Sequence, residues 1–282
     1  MDISRKIRYC TTLTPAEQQL AKYILDNKDI VVNNSMQNLQ ECAFVSKSMI
    51  HRFCKKMGLE GFNELKVQLS QSQSYDDIDI DVNIPFVAKD SQRQVAEKLA
   101  QLYNKTVADT QSFLDMQVLW DVVLLMNKST CIDIYTHANN LNAAENFQDK
   151  MLSIGRKVTC QESGYKQRRQ VLLANSTHVA LILSYSGKAT FISPLLKLLK
   201  EQHVPIIWIG KAGNTEMAAA TDYQLYLSDK EHFQSRLSQF ASHIAMQYTM
   251  DLLFSCIFKM DYERNLDYLK HANLRLDDRK WQ

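Results

Sequence analysis

A short stretch rich in basic and hydroxyl side chains, AFVSKSMIHRFCKKMG at residues 43–58, carries groups that can bind nucleic acid. Lysine and arginine pair with phosphate oxygens, and arginine and serine can also hydrogen-bond to base edges. On a helix from Ser46 to Met57, apolar side chains form one stripe and polar ones the opposite face. The polar residues on or beside that face are Ser46, Lys47, Ser48, His51, Arg52, Lys55 and Lys56. The stretch predicts a helix that packs by one side and offers the other to a partner.

The residues before this helix favour DNA as that partner. A short helix is predicted over residues 35–42, joined to the basic helix by only Ala43, Phe44 and Val45. Two short helices joined by a tight turn, the second basic on its outer face, describe a helix-turn-helix whose second helix fits a major groove about 12 Å wide. The expected base contacts are Lys47, Ser48, His51 and Arg52, and the expected phosphate contacts are Lys55, Lys56 and Lys66. A solvated face of an ordinary helical bundle is the alternative.

A second candidate site follows the apolar run in LILSYSGKATF, residues 181–191. A buried strand is predicted to end at Ser184, after which the chain turns through Tyr185, Ser186 and Gly187 into a helix. Hydroxyls and backbone N–H groups at a helix start bind anions, and glycine lets the backbone approach closely. A serine-rich turn that only caps a helix is the alternative for so short a motif.

The cysteines and histidines give no sign of a metal site or a catalytic set. The six cysteines stand at positions 10, 42, 54, 131, 160 and 256, with no CxxC pair and no zinc-ligand spacing to a histidine. A general base could be supplied by Glu162, His203 or His232, but nothing in their spacing marks a set. We therefore expect reduced, mostly buried thiols, no metal, no cofactor and no catalytic residues.

The bulk composition is that of a soluble globular protein, with 45% hydrophobic and 23% charged residues. A length of 282 residues favours two domains. The net charge is only +2, so any basic footprint must be local. The chain contains no run of about 18 apolar residues, and MDISRKIRYC lacks the apolar region of a signal peptide. A cytoplasmic protein without a membrane helix is expected.

Residues 1–75 are predicted to be entirely helical. LTPAEQQLAKYILDNKD begins with Thr14 as N-cap, Pro15 at the first helical position and Glu17 at the third, which is a capping box. Further helix ends are predicted at Ser35 and Ser46, as N-caps, and at Gly58, as a C-terminal glycine.

A linker is predicted at residues 76–90, because four aspartates and a proline occur in SYDDIDIDVNIPF. The alternative for this stretch is an edge strand with alternating Ile78, Ile80 and Val82. A second domain is predicted over residues 91–260, and residues 261–282 form a C-terminal tail.

The second domain alternates between strand and helix patterns. Strands are predicted at CIDIYT (131–136), KVTC (157–160), HVALILS (178–184), PIIWIG (205–210) and YQLYLS (223–228). Helices are predicted at about 91–113, 140–154, 165–174, 190–201, 214–220 and 231–258. Five short buried strands separated by helices predict a doubly wound, five-stranded parallel sheet in a three-layer α/β/α sandwich.

The N-terminal pattern resembles the DNA-binding domain of the RpiR (MurR/RpiR) family of bacterial transcription regulators. The likeness covers about residues 1–70 and includes LTPAEQQLAKYILDN and the run SMQNLQECAFVSKSMIHRFCKKMGLEGFNELKVQL. It implies an all-α helix-turn-helix domain that binds a double-stranded operator. In that family the domain is coupled to an α/β sugar isomerase (SIS) domain, whose fold matches the prediction for residues 91–260.

The SIS resemblance implies a phosphosugar site made of two loops. The phosphate loop of the family, usually SxSGxT, is similar to Ser184, Tyr185, Ser186 and Gly187, although Ala189 stands where the threonine is expected and Thr190 follows it. The other loop is usually rich in glycine, whereas here it reads YTHANNLNAAENF. Asn139 and Asn140 would then face the phosphate, and Lys211, which follows the fourth strand, would pair with it.

The expected function is that of a transcription regulator of sugar or amino-sugar metabolism genes with a phosphosugar effector. Two alternatives remain, namely a sugar-phosphate isomerase and a regulator whose SIS domain only holds the dimer together. Because DNA-binding dimers read paired half-sites, a homodimer or higher oligomer is expected.

Overall fold

The chain divides at Asp81 and Val82 into two compact units, residues 1–81 and 82–282. The structure is a computed structural model that describes residues 3–10, 12–73 and 80–276. The aspartate-rich part of the predicted linker, including the alternative edge strand, lies largely outside the described residues.

The described part of the first unit is helical, as the sequence predicts. Its helices are α1 (Ile3–Tyr9), α2 (Pro15–Asp26), α3 (Lys28–Asn33), α4 (Met36–Ala43), α5 (Lys47–Lys56) and α6 (Phe62–Gln73). Their apolar faces share one core whose fully buried members include Leu20, Ile24, Ile50, Phe53 and Leu65.

The predicted helix caps of the first unit are confirmed. The Thr14 hydroxyl accepts from the Glu17 N–H, and the Glu17 carboxylate accepts from the Thr14 N–H at 2.9 Å, which completes the capping box. Ser35 and Ser46 cap α4 and α5 through their hydroxyls. Short polar signals therefore fix where these helices begin.

The second unit is an α/β sandwich. Two helices, α7 (Gln92–Phe113) and α8 (Met116–Lys128), precede the sheet. The strands are β1 (Cys131–Thr136), β2 (Val158–Cys160), β3 (His178–Leu183), β4 (Ile206–Lys211) and β5 (Tyr223–Leu227). The remaining helices are α9 (Asn140–Leu152), α10 (Gly164–Val171), α11 (Ile192–Glu201), α12 (Thr215–Ala220), α13 (Phe240–Met260) and α14 (Tyr262–Leu276).

The five strands form one all-parallel sheet in the order β2-β1-β3-β4-β5, which confirms the predicted fold class. One face of the sheet packs on α8, α9 and α13, and the other packs on α10 and α11. Both faces are apolar because a parallel sheet is covered on both sides.

Several segments depart from the sequence expectations. Residues 82–90, placed in the linker, pack on the second unit: the Asn83 side chain accepts from the His232 N–H at 2.7 Å. The helix expected from residue 231 begins only at Phe240, because residues 228–239 form a loop that buries Glu231. The tail at 261–282 contains α14, and α8 was not foreseen.

None of the helices in the described residues is long and apolar enough to cross a membrane.

The Glu17 carboxylate provides a test of how α5 is held. The Lys56 ammonium lies 2.6 Å from it, and this bond, with the Thr14 N–H, lowers the pKa of Glu17 from 4.5 to about 2. A lowered folded-state pKa contributes stability above pH 4.5 that is lost as the pH falls toward 2. Glu17→Gln should therefore lower the free energy of unfolding by about 1–2 kcal/mol at pH 7.

Thermal unfolding of the parent and of Glu17→Gln between pH 7 and pH 3 checks this expectation. The difference between the two proteins should shrink below pH 4.5, because protonated glutamic acid resembles glutamine. The exposed Glu60 gives the matched control, Glu60→Gln. A difference that does not change with pH would show that the ion pair contributes nothing.

Candidate nucleic-acid interface and anion pocket

Helix α5 is amphipathic in the way the sequence predicts. Ile50, Phe53 and Cys54 are fully buried in the core of the first unit. The Ser46 hydroxyl accepts from the Met49 N–H at 3.2 Å, and Gly58, with a φ of 71°, terminates the helix. The apolar stripe and the two ends thus fix which side of α5 faces outward.

The outward face of α5 is polar and basic. Its exposed members are Ser46, Lys47, Ser48, His51, Arg52 and Lys55. Their side chains project from one short helix that follows α4 after a three-residue turn, residues 44–46. This arrangement can insert into a groove of duplex DNA and reach both bases and phosphates.

Two lysines assigned to phosphate contacts already have partners inside the first unit. The Lys56 ammonium donates to the Glu17 carboxylate at 2.6 Å and to the Thr12 carbonyl at 3.3 Å. The Lys66 ammonium donates to the Asn34 carbonyl at 3.0 Å. We therefore expect these two side chains to contribute less to phosphate binding than Lys55.

In the second unit, the predicted anion loops meet at the centre of the sheet. β1 and β3 are neighbours in register along their whole length, and the chain leaves β1 toward β2 on one side and β3 toward β4 on the other. Ligands of open α/β sheets bind at such a switch point, beyond the carboxyl ends of the strands. The loops after β1 and β3 both lie there.

One carbonyl joins the two loops. The Thr136 hydroxyl donates to the Leu183 carbonyl at 2.9 Å, and the Asn140 side-chain amide donates to the same oxygen at 3.4 Å. Asn140 therefore lies, as expected, beside the loop after β3. This loop, residues 184–187, is called the serine loop below. The Asn139 amide turns instead to Gln239, at 2.6 Å, at the start of α13.

The serine loop is held by its backbone carbonyls. The Trp208 indole N–H donates to the Ser184 carbonyl at 3.0 Å, the Lys211 N–H to the Tyr185 carbonyl at 2.8 Å, and the Asn214 amide to the Ser186 carbonyl at 3.0 Å. These bonds leave the loop carbonyls occupied. The electropositive N–H side of the loop is the side suited to an anion.

Two expected pocket residues, Tyr185 and Thr190, and the predicted start of the following helix differ from the sequence prediction. The Tyr185 hydroxyl points away from an anion, because it donates to the Ser228 and Glu231 carbonyls at 2.8 and 3.3 Å. Burial raises the pKa of Tyr185.

Thr190 is exposed, and the helix does not begin directly after Gly187 but at Ile192. The N–H groups near the serines therefore belong to a loop, and the Lys188 N–H donates to the Ser186 hydroxyl at 3.3 Å.

A cation lies at the border of this loop. The Lys211 ammonium is 5.9 Å from the centre of the ring of Tyr185, a residue of this loop. The His137 and Phe191 rings, from the segments after β1 and β3, lie 6.0 Å apart. The loops after these two strands thus carry a cation and a pair of aromatic rings.

Sequence reasoning missed the side chains that fix this pocket from far along the chain. Asn214, Trp208 and Gln239 have no motif of their own. Glu231 is buried and accepts from the Ser242 N–H at 2.9 Å and from the Ser242 hydroxyl at 2.6 Å, and Arg236 pairs with it. Only the position of Asn214 as the N-cap of α12 could have been read from the sequence.

The three candidate general bases do not form a set. His203 lies in the turn between α11 and β4, at the amino end of the strands and thus at the edge opposite to the serine loop. Glu162 and His232 are exposed after β2 and β5, the two outer strands of the sheet. These three residues therefore do not form a pair that could transfer a proton to and from one substrate.

One group among the described residues could hold a metal ion, namely Cys131, Asp133 and His178. Asp133 already accepts from Thr159 at 2.5 Å, from Gln170 at 2.9 Å and pairs with His178 Nδ1 at 2.7 Å. Burial raises the pKa of the Cys131 thiol to about 12, which disfavours the thiolate that binds metals. We assign this cluster a structural role under α10.

Comparison with known proteins matches each unit separately. Residues 1–76 match the helix-turn-helix domain of the rpiR family, and residues 125–254 match the SIS domain. An uncharacterized HTH-type transcriptional regulator of Caldanaerobacter subterraneus is 28% identical over 270 residues, which cover 96% of this chain and 95% of that protein.

Solved structures share the fold. The Vibrio vulnificus NanR protein complexed with ManNAc-6P has a TM-score of 0.59 at 16% identity and covers 97% of both chains. The sugar isomerase domain of an RpiR transcription factor from Sphaerobacter thermophilus has a TM-score of 0.57 at 14% identity, over 64% of this chain and 98% of that one.

Gly187 allows a test of the serine loop. Its φ is 67°, and a Cβ there would meet Asn214 Nδ2 at 2.5 Å and Met217 Cγ at 2.6 Å. Gly187→Ala should lower the free energy of unfolding by about 2 kcal/mol, through backbone strain and the displaced neighbours. Chemical denaturation measures this loss.

The matched control is Gly164→Ala, because nothing lies within 4 Å of a Cβ at that position. This variant should unfold like the parent. Equal stability of both variants would mean that the loop around Gly187 is looser than the structure describes.

Proposed function

The chain belongs to the rpiR family of helix-turn-helix transcriptional regulators that carry an SIS domain, and on this basis we propose that it binds a double-stranded operator and senses a phosphosugar. The regulated genes are those of sugar or amino-sugar metabolism. As proposed, the protein is not an enzyme and works in the cytoplasm, where it meets its operator.

The observation that carries the DNA-binding proposal is the outward face of α5. Six exposed polar side chains, of which three belong to lysine or arginine, project from this helix and its N-cap, and the other side of the helix is buried. Ser48, His51 and Arg52 are suited to base edges, together with Lys47 at the N-terminal end, and Lys55 to a phosphate. A helix face that is merely exposed to solvent does not need some side chains suited to bases and others suited to phosphates. DNA binding is therefore the better explanation of this face.

The effector proposal rests on the pocket after β1 and β3. Ser184, Ser186 and Gly187 provide hydroxyls and a close backbone approach, Asn140 lies across from them, and Lys211 adds a positive charge. A phosphoryl group is the ligand that suits these groups. The ManNAc-6P bound to the NanR relative is a ligand of the same chemical class.

Of the two alternatives, the scaffold account has one specific observation in its favour. Where the family loop is usually glycine-rich, this chain carries His137, whose ring lies beside Phe191, and Ala138, whose φ is 54°. The isomerase account has less support, because the three candidate bases Glu162, His203 and His232 lie apart from one another. Binding of a phosphosugar would favour a sensor over a scaffold. Conversion of the bound phosphosugar into a product would favour an isomerase over a sensor.

We propose a homodimer or a higher oligomer, since paired half-sites are read by paired recognition helices. An effector can regulate such a protein only if it binds two arrangements of the oligomer with different affinities.

The recognition face can be tested with Arg52→Ala and Lys55→Ala. The arginine variant should lose about 1–3 kcal/mol of binding and relax its sequence preference, whereas the lysine variant should bind all sequences more weakly and lower the salt slope by about 1. Fluorescence anisotropy with a duplex selected by the parent, and with a scrambled duplex, at several KCl concentrations measures both effects.

Lys200→Ala, at an exposed lysine of the second unit, is the control for loss of charge. Parent-like binding by Arg52→Ala, His51→Ala and Lys55→Ala together would mean that α5 is not the recognition helix.

The pocket can be tested by thermal unfolding with a panel of phosphorylated hexoses and amino sugars that includes ManNAc-6P. A ligand that binds the native state at a hundred times its Kd should stabilise it by about 2.7 kcal/mol. The pair Ser184→Ala and Ser186→Ala should remove this shift, while Ser255→Ala, far from the loop in α13, should keep it. A panel without any shift, from a protein that still binds DNA, would favour the scaffold.

A further inference from the structure

Phe44, in the turn between α4 and α5, combines two unfavourable features. Its backbone is left-handed, with a φ of 53° and a ψ of 44°, which is uncommon for a residue with a bulky side chain. Its side chain is 94% exposed, more than any other large apolar side chain in the described residues. Strain and solvent exposure therefore fall on the same residue.

The fold of the turn does not need a phenylalanine. The turn is held by backbone bonds, since the Phe44 N–H and the Val45 N–H both donate to the Gln40 carbonyl. Glycine would provide the same N–H group and adopt the left-handed conformation without strain. The ring therefore adds cost to the free protein, and a strained, exposed residue of this kind is a candidate for function.

The position of Phe44 indicates what the ring would contact. It is two residues before Ser46, the N-cap of α5, and so lies beside the end of the helix that carries Lys47 and Ser48. The N-terminal end of a recognition helix is the part that reads bases in the major groove. An apolar side chain there can pack on the C5-methyl group of thymine.

The surroundings of Phe44 argue against a protein partner. Gln37, Glu41 and Lys47 are exposed and polar, and the neighbouring apolar residues Ala43 and Val45 are half-buried against the core of the first unit, so Phe44 is the one large apolar residue of this turn that is fully exposed. Protein interfaces are built around larger apolar areas, whereas a thymine methyl is itself a small apolar group among polar ones.

We propose that Phe44 is a specificity-determining residue that contacts a thymine methyl in the operator. This inference rests on the proposed DNA-binding function. It predicts a preference for thymine at the base pair beside the N-terminal end of α5. The strain at Phe44 is then retained because the ring is useful only in the complex.

The test removes the Phe44 ring from the protein and the thymine methyl group from the DNA, separately and together. The probe is a 30-base-pair duplex, a length of about three helical turns, selected by the parent protein from a random pool. Each thymine in it is replaced in turn by deoxyuridine, which lacks only the methyl group. The parent should bind the duplexes that lack a contacted methyl group, one for each half-site, roughly tenfold more weakly. Phe44→Ala should bind the thymine and deoxyuridine duplexes equally, as expected for two partners of one contact.

Phe44→Gly separates binding from strain. It should bind the selected duplex roughly tenfold more weakly than the parent and yet unfold at a higher temperature, because glycine relieves the left-handed backbone. Phe233→Ala is the matched control, since that phenylalanine is 81% exposed in the second unit, and it should bind like the parent.

The outcomes distinguish this inference from the function on which it rests. Parent-like binding by Phe44→Gly and Phe44→Ala, with weakened binding by Arg52→Ala, overturns the role of Phe44 and keeps the recognition helix. Loss of self-association without loss of DNA binding would make Phe44 a contact between copies of the chain and also overturns the inference. A parent protein that selects no duplex overturns the proposed function itself.

Discussion

The pairing of β1 with β3 is the interaction on which the second unit depends. All six residues of β1 are buried and are matched in register with β3, so the two strands form the centre of the sheet. The chain leaves this pair in opposite directions, toward β2 and toward β4. The two loops after these strands must then meet, and the Leu183 carbonyl, which accepts from both Thr136 and Asn140, joins them. The pocket is thus a consequence of strand order before it is a consequence of any motif.

In the first unit, the corresponding requirement is that helix α5 is held in one orientation. An exposed basic face is useful for reading a groove only if its orientation is fixed. The buried stripe of α5 fixes its rotation, the Ser46 cap fixes its start, and the pair between Lys56 and Glu17 holds its C-terminal end against the start of α2. Because Glu17 is also part of the capping box of α2, one carboxylate ties two helices together.

Most of the fold could be predicted from the sequence because its signals are local. The N-caps at Thr14, Ser35 and Ser46 and the apolar runs of the strands depend on neighbours a few residues away. Contacts between distant positions could not be read in this way. Lys56 was assigned to a phosphate, yet its partner Glu17 lies 39 residues away. Residues 231–239 were predicted as helix, yet they form a loop whose buried Glu231 is satisfied by Ser242 and Arg236. In the pocket, the serines were found by motif, whereas Asn214 and Gln239 required the folded chain.

Gly187 and Phe44 show how space and backbone conformation act separately. Both residues have a positive φ, of 67° and 53°, and both lie in a turn beside a candidate ligand surface. At Gly187, a Cβ would displace the side chains of Asn214 and Met217, so packing by itself disfavours any other residue. At Phe44, the side chain is almost fully exposed, so packing sets no limit and the backbone alone would favour glycine. The glycine in the pocket is therefore explained by the folded chain itself. The phenylalanine in the turn is not, and the proposed contact with DNA would account for it.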